Sequence, residues 1–183
     1  MSLEAGLKVG DRIFCRVDEN WGVVRAILID PVGRTFERIV IEPPHMVAVG
    51  QFAPADRISF SDGALTFDGS LVSFDLNNRA ETLEWSNPQN RNVGSISGSV
   101  VAVKGLMTFD GTTEAYDSED DYIGNVVGIT LRAEGAVDRL IIRSVGRLRD
   151  KDVLVDMNEE IAELGAAVQL KVTGAQVRDR PRA

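Results

Sequence analysis

Asp117-Ser118-Glu119-Asp120-Asp121 packs four carboxylates into five consecutive positions, the densest run of oxygen donors in the chain. Acids at the first, third and fifth places are how a calcium-binding loop begins. A hard cation is held by several oxygens that one short turn brings together. The match ends there, because Tyr122 stands where that loop needs its glycine and Gly128 where it needs a bidentate glutamate. An EF-hand is excluded. Asp117, Glu119 and Asp121 remain as candidate metal ligands of an irregular cation site, and a solvated acidic hairpin turn is the preferred reading.

Other reactive side chains are sparse. The single histidine, His45, cannot furnish a multi-histidine metal site, and a serine–histidine–aspartate arrangement would rest on it alone. It follows Pro43-Pro44, a loop setting rather than a catalytic one. Cys15, the one cysteine, has no disulfide partner within the chain. Alternating with Ile13 and Val17, it falls on the apolar face of an extended segment and reads as a buried structural thiol. A reactive thiolate needs an electropositive, exposed setting. Glu159-Glu160 reads as first-turn helix charge rather than a paired acid and base. Neither half of the chain contains a glycine-rich phosphate cradle. The expectation is a protein that is not an enzyme, with no catalytic residues and no cofactor.

Composition bounds the partners. The 183 residues carry 28 acidic and 20 basic side chains, a formal net charge of −8. Nucleic-acid binding draws on Lys and Arg neutralising phosphate, so this balance argues against it. Arg143, Arg147, Arg149 and Lys151 do crowd together, and they read as a solvated loop and strand edge. With 44% hydrophobic residues the chain is too apolar for disorder. Its apolar runs are too short for a membrane-spanning helix, which takes roughly 20 residues. Met1-Ser2-Leu3 opens no basic-then-apolar secretory pattern, so a cytoplasmic location is expected.

The elements that must position these groups are strands. Val9 to Val17 alternates in its later part, and Val23 to Ile29 is almost continuously apolar, the mark of a strand covered on both faces. Asp30-Pro31-Val32-Gly33 supplies a turn, with Gly33 free to take a positive φ, and Phe36 to Glu42 completes a hairpin. Arg57 to Phe60 and Ala64 to Phe67 flank Asp62-Gly63, a favoured two-residue turn. One more strand is expected over Leu71 to Leu76. A polar stretch follows from Asn77 to Ser95, anchored by Trp85. Further strands are expected at Ile96 to Val103, Leu106 to Phe109, Thr113 to Tyr116, Asn125 to Leu131, Val137 to Arg143 and Val153 to Asp156. Asn158 is expected to cap a helical turn running to Leu164, with Gly165 ending it. Ala167 to Val172 closes the pattern, and the polar tail is expected to fray.

One signal organises all of this. Gly22-Val-Val-Arg-Ala-Ile-Leu-Ile-Asp-Pro-Val-Gly33 and the later Glu37-Arg-Ile-Val-Ile-Glu42 can be laid over a second stretch. That stretch is Gly124-Asn-Val-Val-Gly-Ile-Thr-Leu-Arg-Ala-Glu-Gly135 followed by Asp138-Arg-Leu-Ile-Ile-Arg143. The offset is 102 residues before the turn and 101 after it. Acids precede the first glycine in both, Asp18-Glu19 and Asp117 to Asp121.

These residues resemble the PRC-barrel family, small β-barrels known from the photosynthetic reaction-centre H subunit and from a ribosome-maturation factor. The first copy matches at Asp18, Gly22-Val23-Val24, Asp30 to Gly33, Ile39 to Glu42, Phe52-Ala53-Pro54-Ala55-Asp56 and Asp62-Gly63. The second matches at Asp117, Gly124-Asn125-Val126, Gly135, Leu140 to Ile142 and Val153 to Val155, with Asp156 where the family has proline. The resemblance implies a mainly β chain of two PRC-barrel-like domains in tandem, related by internal duplication, with at most short helices. They would span 1–76 and 96–176, with a polar connection at 77–95 and a frayed tail at 177–183. The function it implies is a protein-interaction or scaffold module. About 70 residues make a marginal core, so docking of the halves, a protein partner or homodimerisation is expected. The alternative is a regulatory domain holding a small ligand or cation between the halves.

Overall fold

The structure is a computed structural model, and the residues it describes are 5–42, 50–61, 64–71, 103–132, 134–145 and 150–183. His45, the 62–63 turn, residues 72–76, the connection with Trp85, residues 96–102, Arg147 and Arg149 lie outside them. The chain is mainly β. The first half contributes β1 (Ala5–Lys8), β2 (Arg12–Cys15), β3 (Asn20–Asp30), β4 (Thr35–Glu42), β5 (Gln51–Pro54), β6 (Ile58–Ser61) and β7 (Ala64–Phe67). The second contributes β8 (Met107–Phe109), β9 (Glu114–Tyr116), β10 (Tyr122–Leu131), β11 (Val137–Ser144), β12 (Lys151–Asp156), β13 (Ile161–Leu164) and β14 (Val168–Leu170). One short helix, α1 (Gly174–Arg178), follows.

The strands form two curled, seven-stranded sheets of the same design. One runs β5-β4-β3-β2-β7-β6, the other β12-β11-β10-β9-β14-β13. The equivalence extends to register. Ile27 lies opposite Ile39 as Ile129 lies opposite Leu140, which keeps the sequence offsets of 102 and 101. Irregularities recur at the same places, skipping Arg25 and Glu37 in one sheet and Val127 and Asp138 in the other. Pro54 pairs with Arg38 as Asp156 pairs with Arg139, so Asp156 does occupy the position equivalent to the proline.

Each half also lends its first strand to the other sheet. β1 pairs with β10, Leu7 opposite Ile129, and β8 pairs with β3, Phe109 opposite Ile27. The two exchanges are the same at an offset of 102. A third crossing joins the hairpin turns: Gly135 O accepts from Phe36 N at 3.0 Å, Arg34 O accepts from Val137 N at 2.9 Å, and Thr35 bridges Ala136 between them. This reciprocity is that of an isologous dimer, written within one chain. The sheets therefore do not follow the division into 1–76 and 96–176. One apolar core runs through both halves, from Leu7 and Ile13 to Leu170 and Val177. Burying Leu7 alone contributes about 1.5–3 kcal/mol, and that term couples the halves. β3 is covered on both faces, as its apolar run requires. Ile27 and Ile29 join the main core, while Ala26 and Leu28 pack with Val40 and Phe52 on the other side.

Two glycines explain the repeat's most regular feature. A side chain at Gly22 would stand 2.3 Å from Ile41 Cγ2, and one at Gly124 would stand 2.0 Å from the Arg143 carbonyl oxygen. Both positions lie where the long strand crosses closely over the end of the next.

Three local expectations are corrected. The left-handed residue of the β3–β4 turn is Arg34 at φ 54°, not Gly33; its counterpart Gly135 is at φ 79°. The strain at Arg34 is offset by its side chain, whose Nη1 donates to Met157 O and Asn158 Oδ1, both at 2.8 Å. Residues 161–164, expected to be helical, form β13. Ile161 is buried and pairs with Leu170, and it is Asp156, not Asn158, that caps the turn by accepting from Asn158 N and Glu159 N. The tail does not fray. Arg180 donates to Leu154 O at 2.7 Å and pairs with Glu160, Lys151 donates to Arg180 O, and Ala183 N reaches Asp152 O.

Candidate functional site

The acidic turn connects β9 to β10, and its geometry is set by Asp117. Asp117 Oδ1 accepts from Glu119 N at 2.8 Å and Asp121 N at 3.0 Å, while Asp120 takes a left-handed φ of 66° to let the turn close. Asp117 Oδ2 reaches across to Gly174 N at 2.6 Å, at the start of α1. The carboxylate is 2% exposed. Burial pushes its pKa up most strongly, but the N–H groups of Glu119, Gly174 and Asp121, with the charge of Arg178, outweigh that and hold it below the ordinary value.

The sequence-expected ligands do come together: Asp117, Glu119 and Asp121 each offer an oxygen within 4.8 Å of the others. Glu119 and Asp121 are exposed. Of the roughly four lone-pair positions of a carboxylate, three on Asp117 are already taken by backbone donors. A cation would find Glu119, Asp121 and one remaining lone pair.

The first half shows what the acid is for. Asp18 Oδ2 accepts from Leu71 N at 2.8 Å and from Ser70 Oγ at 3.3 Å. Leu71 stands four residues beyond the end of β7, and Gly174 stands four beyond the end of β14. In each half a carboxylate from the turn before the long strand clasps the chain as it leaves the closing strand. The acid preceding the glycine is thus a structural signature of the repeat.

The remaining candidates fall into structural roles. Cys15 is buried beside Ile13, as expected, and burial, with the charge of Asp18, raises its thiol pKa to about 12. Val17 breaks the expected alternation; it sits in the turn, 64% exposed. Glu160 accepts from Asp156 N and pairs with Arg180, which holds it below its ordinary pKa. Arg143 donates to Asp152 at 3.0 Å, and Lys8, from the exchanged strand, reaches the same carboxylate at 3.1 Å.

Sequence reading missed the aromatic residues. Phe14 and Trp21 are cross-strand partners on the outer face of β2 and β3, ring centres 5.1 Å apart, with the Arg12 guanidinium 4.6 Å over Trp21. Tyr116, the counterpart of Phe14 at the offset of 102, faces Tyr122 across β9 and β10, 5.9 Å apart and edge to face; an irregularity that skips the buried Ile123, the offset counterpart of Trp21, sets Tyr122 there. Trp21 is 41% exposed and Tyr122 45%. The available signal was the alternation of Phe14 with Ile13 and Cys15, which puts Phe14 on the side opposite the core.

No protein-family model matches the chain, and no curated protein is similar enough to be matched to it. Among the described residues no helix is long and apolar enough to cross a membrane.

Proposed function

We propose that the chain is a non-catalytic protein-interaction or scaffold module of the PRC-barrel type, built by duplication of one barrel unit. The observation that carries this is the cross-strand aromatic contact in each half, half-buried Phe14 with the exposed Trp21 and half-buried Tyr116 with the exposed Tyr122. Large rings left half-exposed over an otherwise closed core are what protein interfaces use as anchors. The duplication is supported by the shared strand order, the constant offsets and the recurring irregularities. The acids with lowered pKa values also favour the reading, since Asp117, Asp152, Asp156 and Glu160 are each engaged by backbone N–H groups or by Arg and Lys side chains. The test is affinity capture with the tagged chain, alongside a W21S/Y122S double variant. Partners, including further copies of the chain, held by the parent and lost by the variant support the reading; identical recovery with both overturns it.

A second reading is favoured by one observation, the oxygens of Asp117, Glu119 and Asp121 lying within 4.8 Å of each other. It makes the chain a cation-binding regulatory domain. Titration with Ca²⁺ followed by thermal unfolding tests it: a saturable rise in Tm that E119Q/D121N removes supports it, and no rise overturns it.

A further inference from the structure

β12 stands at the end of its sheet's strand order, with β11 as its one strand neighbour among the described residues. Residues of an antiparallel strand turn their backbone groups alternately to one side and the other. Asp152, Leu154 and Asp156 turn theirs away from β11, to the side on which an unpaired edge accepts a further strand. The equivalent edge, β5, is blunted by Pro54, whereas β12 has Asp156 there and contains no proline. The segment after α1 covers this edge instead. Ala183 N donates to Asp152 O at 2.9 Å, and Arg180 Nη1 donates to Leu154 O at 2.7 Å. Arg180 also forks onto Glu160, Nη1 to Oε2 at 2.8 Å and Nη2 to Oε1. Glu160 is itself fixed by Asp156, whose N–H donates to Oε2 at 2.8 Å and whose carbonyl accepts from Glu160 N at 3.2 Å. The cations nearby are already engaged: Lys151 donates to the carbonyls of Arg178 and Arg180, and Lys8 and Arg143 pair with Asp152.

We propose that the β12 edge is a docking site for an extended, arginine-bearing peptide of a partner protein, and that residues 179–183 cover it as a strap with the same chemistry. The strap is separable from the core. Val177 is the last residue packed there, and Asp179, Pro181, Arg182 and Ala183 are exposed, so the segment leaves without opening the barrel. What it uncovers is specific. The Asp152 carbonyl takes a backbone N–H, while the Leu154 carbonyl and the fixed Glu160 carboxylate are set for the planar fork of a guanidinium. A lysine in that place is a point donor on a flexible stem and does not reproduce the fork. Strand addition gives such a site its affinity, and the side-chain pocket gives it its choice of residue. None of the aromatic residues above takes part, so this site stands or falls apart from them.

The probe is a synthetic peptide with the sequence of residues 178–183, titrated into the isotope-labelled chain and followed by NMR. In the parent the tethered strap competes at an effective concentration of about millimolar, so the peptide should bind weakly. Full-length R180A, with the strap loosened, should bind it at least about tenfold tighter, with shifts centred on residues 151–156 and Glu160. A chain stopped after Arg178 should behave as R180A does. Adding E160Q to R180A should cost at least about tenfold in affinity, and so should a peptide with lysine in place of the arginine at position 180. Circular dichroism first establishes that the variants keep the parental fold. Loss of the fold in both R180A and the shortened chain would make the strap part of the fold's support and overturn the proposal. So would the absence of peptide binding to either, equal binding to the parent, or binding indifferent to Glu160 and to the lysine replacement.

Discussion

Replacing Asp117 separates a structural clasp from a metal ligand. In Asp117→Ala the N–H groups of Glu119 and Asp121 lose their acceptor, but both lie in an exposed turn and can pass to water; losing a cap of this kind costs about 1 kcal/mol. The Gly174 N–H is different. Its bond to Asp117 is buried, and a buried donor left unsatisfied costs about 1–3 kcal/mol. The expected loss is therefore about 2–4 kcal/mol, equivalent to a fall in Tm of roughly 5–15 °C for a chain of this size. Asp117→Asn should lose nearly as much. Its one oxygen can stay on the turn, but its amide NH2 then faces the Gly174 N–H, donor against donor. The assay is urea unfolding in EDTA, with E119Q and D121N as exposed controls expected within about 0.5 kcal/mol of the parent. An Asp117→Ala protein as stable as the parent in EDTA would refute the clasp. A loss that appears only when Ca²⁺ is present would return the residue to the cation reading.

Acid should destabilise the fold in a defined direction. Asp117, Asp152, Asp156 and Glu160 all have lowered pKa values, so each contributes stability that is present above its unfolded pKa and lost as pH falls through the folded one. Unfolding free energy should decline from about pH 5 downward, and a flat profile between pH 7 and pH 3 would contradict the assignment. Gly124→Ala should cost more than about 3 kcal/mol, because the new Cβ meets a backbone carbonyl at 2.0 Å on a residue at φ 152°; a variant melting with the parent would remove the close-approach argument. Arg180→Ala should cost about 1–3 kcal/mol by freeing Leu154 O and Glu160, which denaturant midpoints at constant slope will show. Cys15 should resist a thiol reagent in the native state and react only as fast as the chain opens, since its pKa is about 12 and it is buried; rapid native labelling would contradict that.

The sequence by itself determined the strands and their repetition. A strand covered on both faces must be apolar at consecutive positions, so Val23 to Ile29 announced β3. The same run, offset by 102 residues, announced β10. The glycines at 22 and 124 were legible as a pair, and so was the acid before each of them, though not the reason for either. Tertiary structure supplied those reasons. A glycine's need is set by the strand that crosses it, and a carboxylate's role by which N–H groups the fold brings to it, as with Asp117 and Gly174, 57 residues apart. Local patterns also lost to distant pairing. Asn158 to Leu164 had a plausible cap and stop for a helix, but Ile161 opposite Leu170 made it an edge strand. The exchange of β1 and β8 left no trace in periodicity, because Ala5 to Lys8 is too short to signal a strand and nothing local tells it which sheet to join. The aromatic faces depended on the same information. Phe14 and Tyr116 were visible as residues, but only strand pairing set Trp21 and Tyr122 beside them.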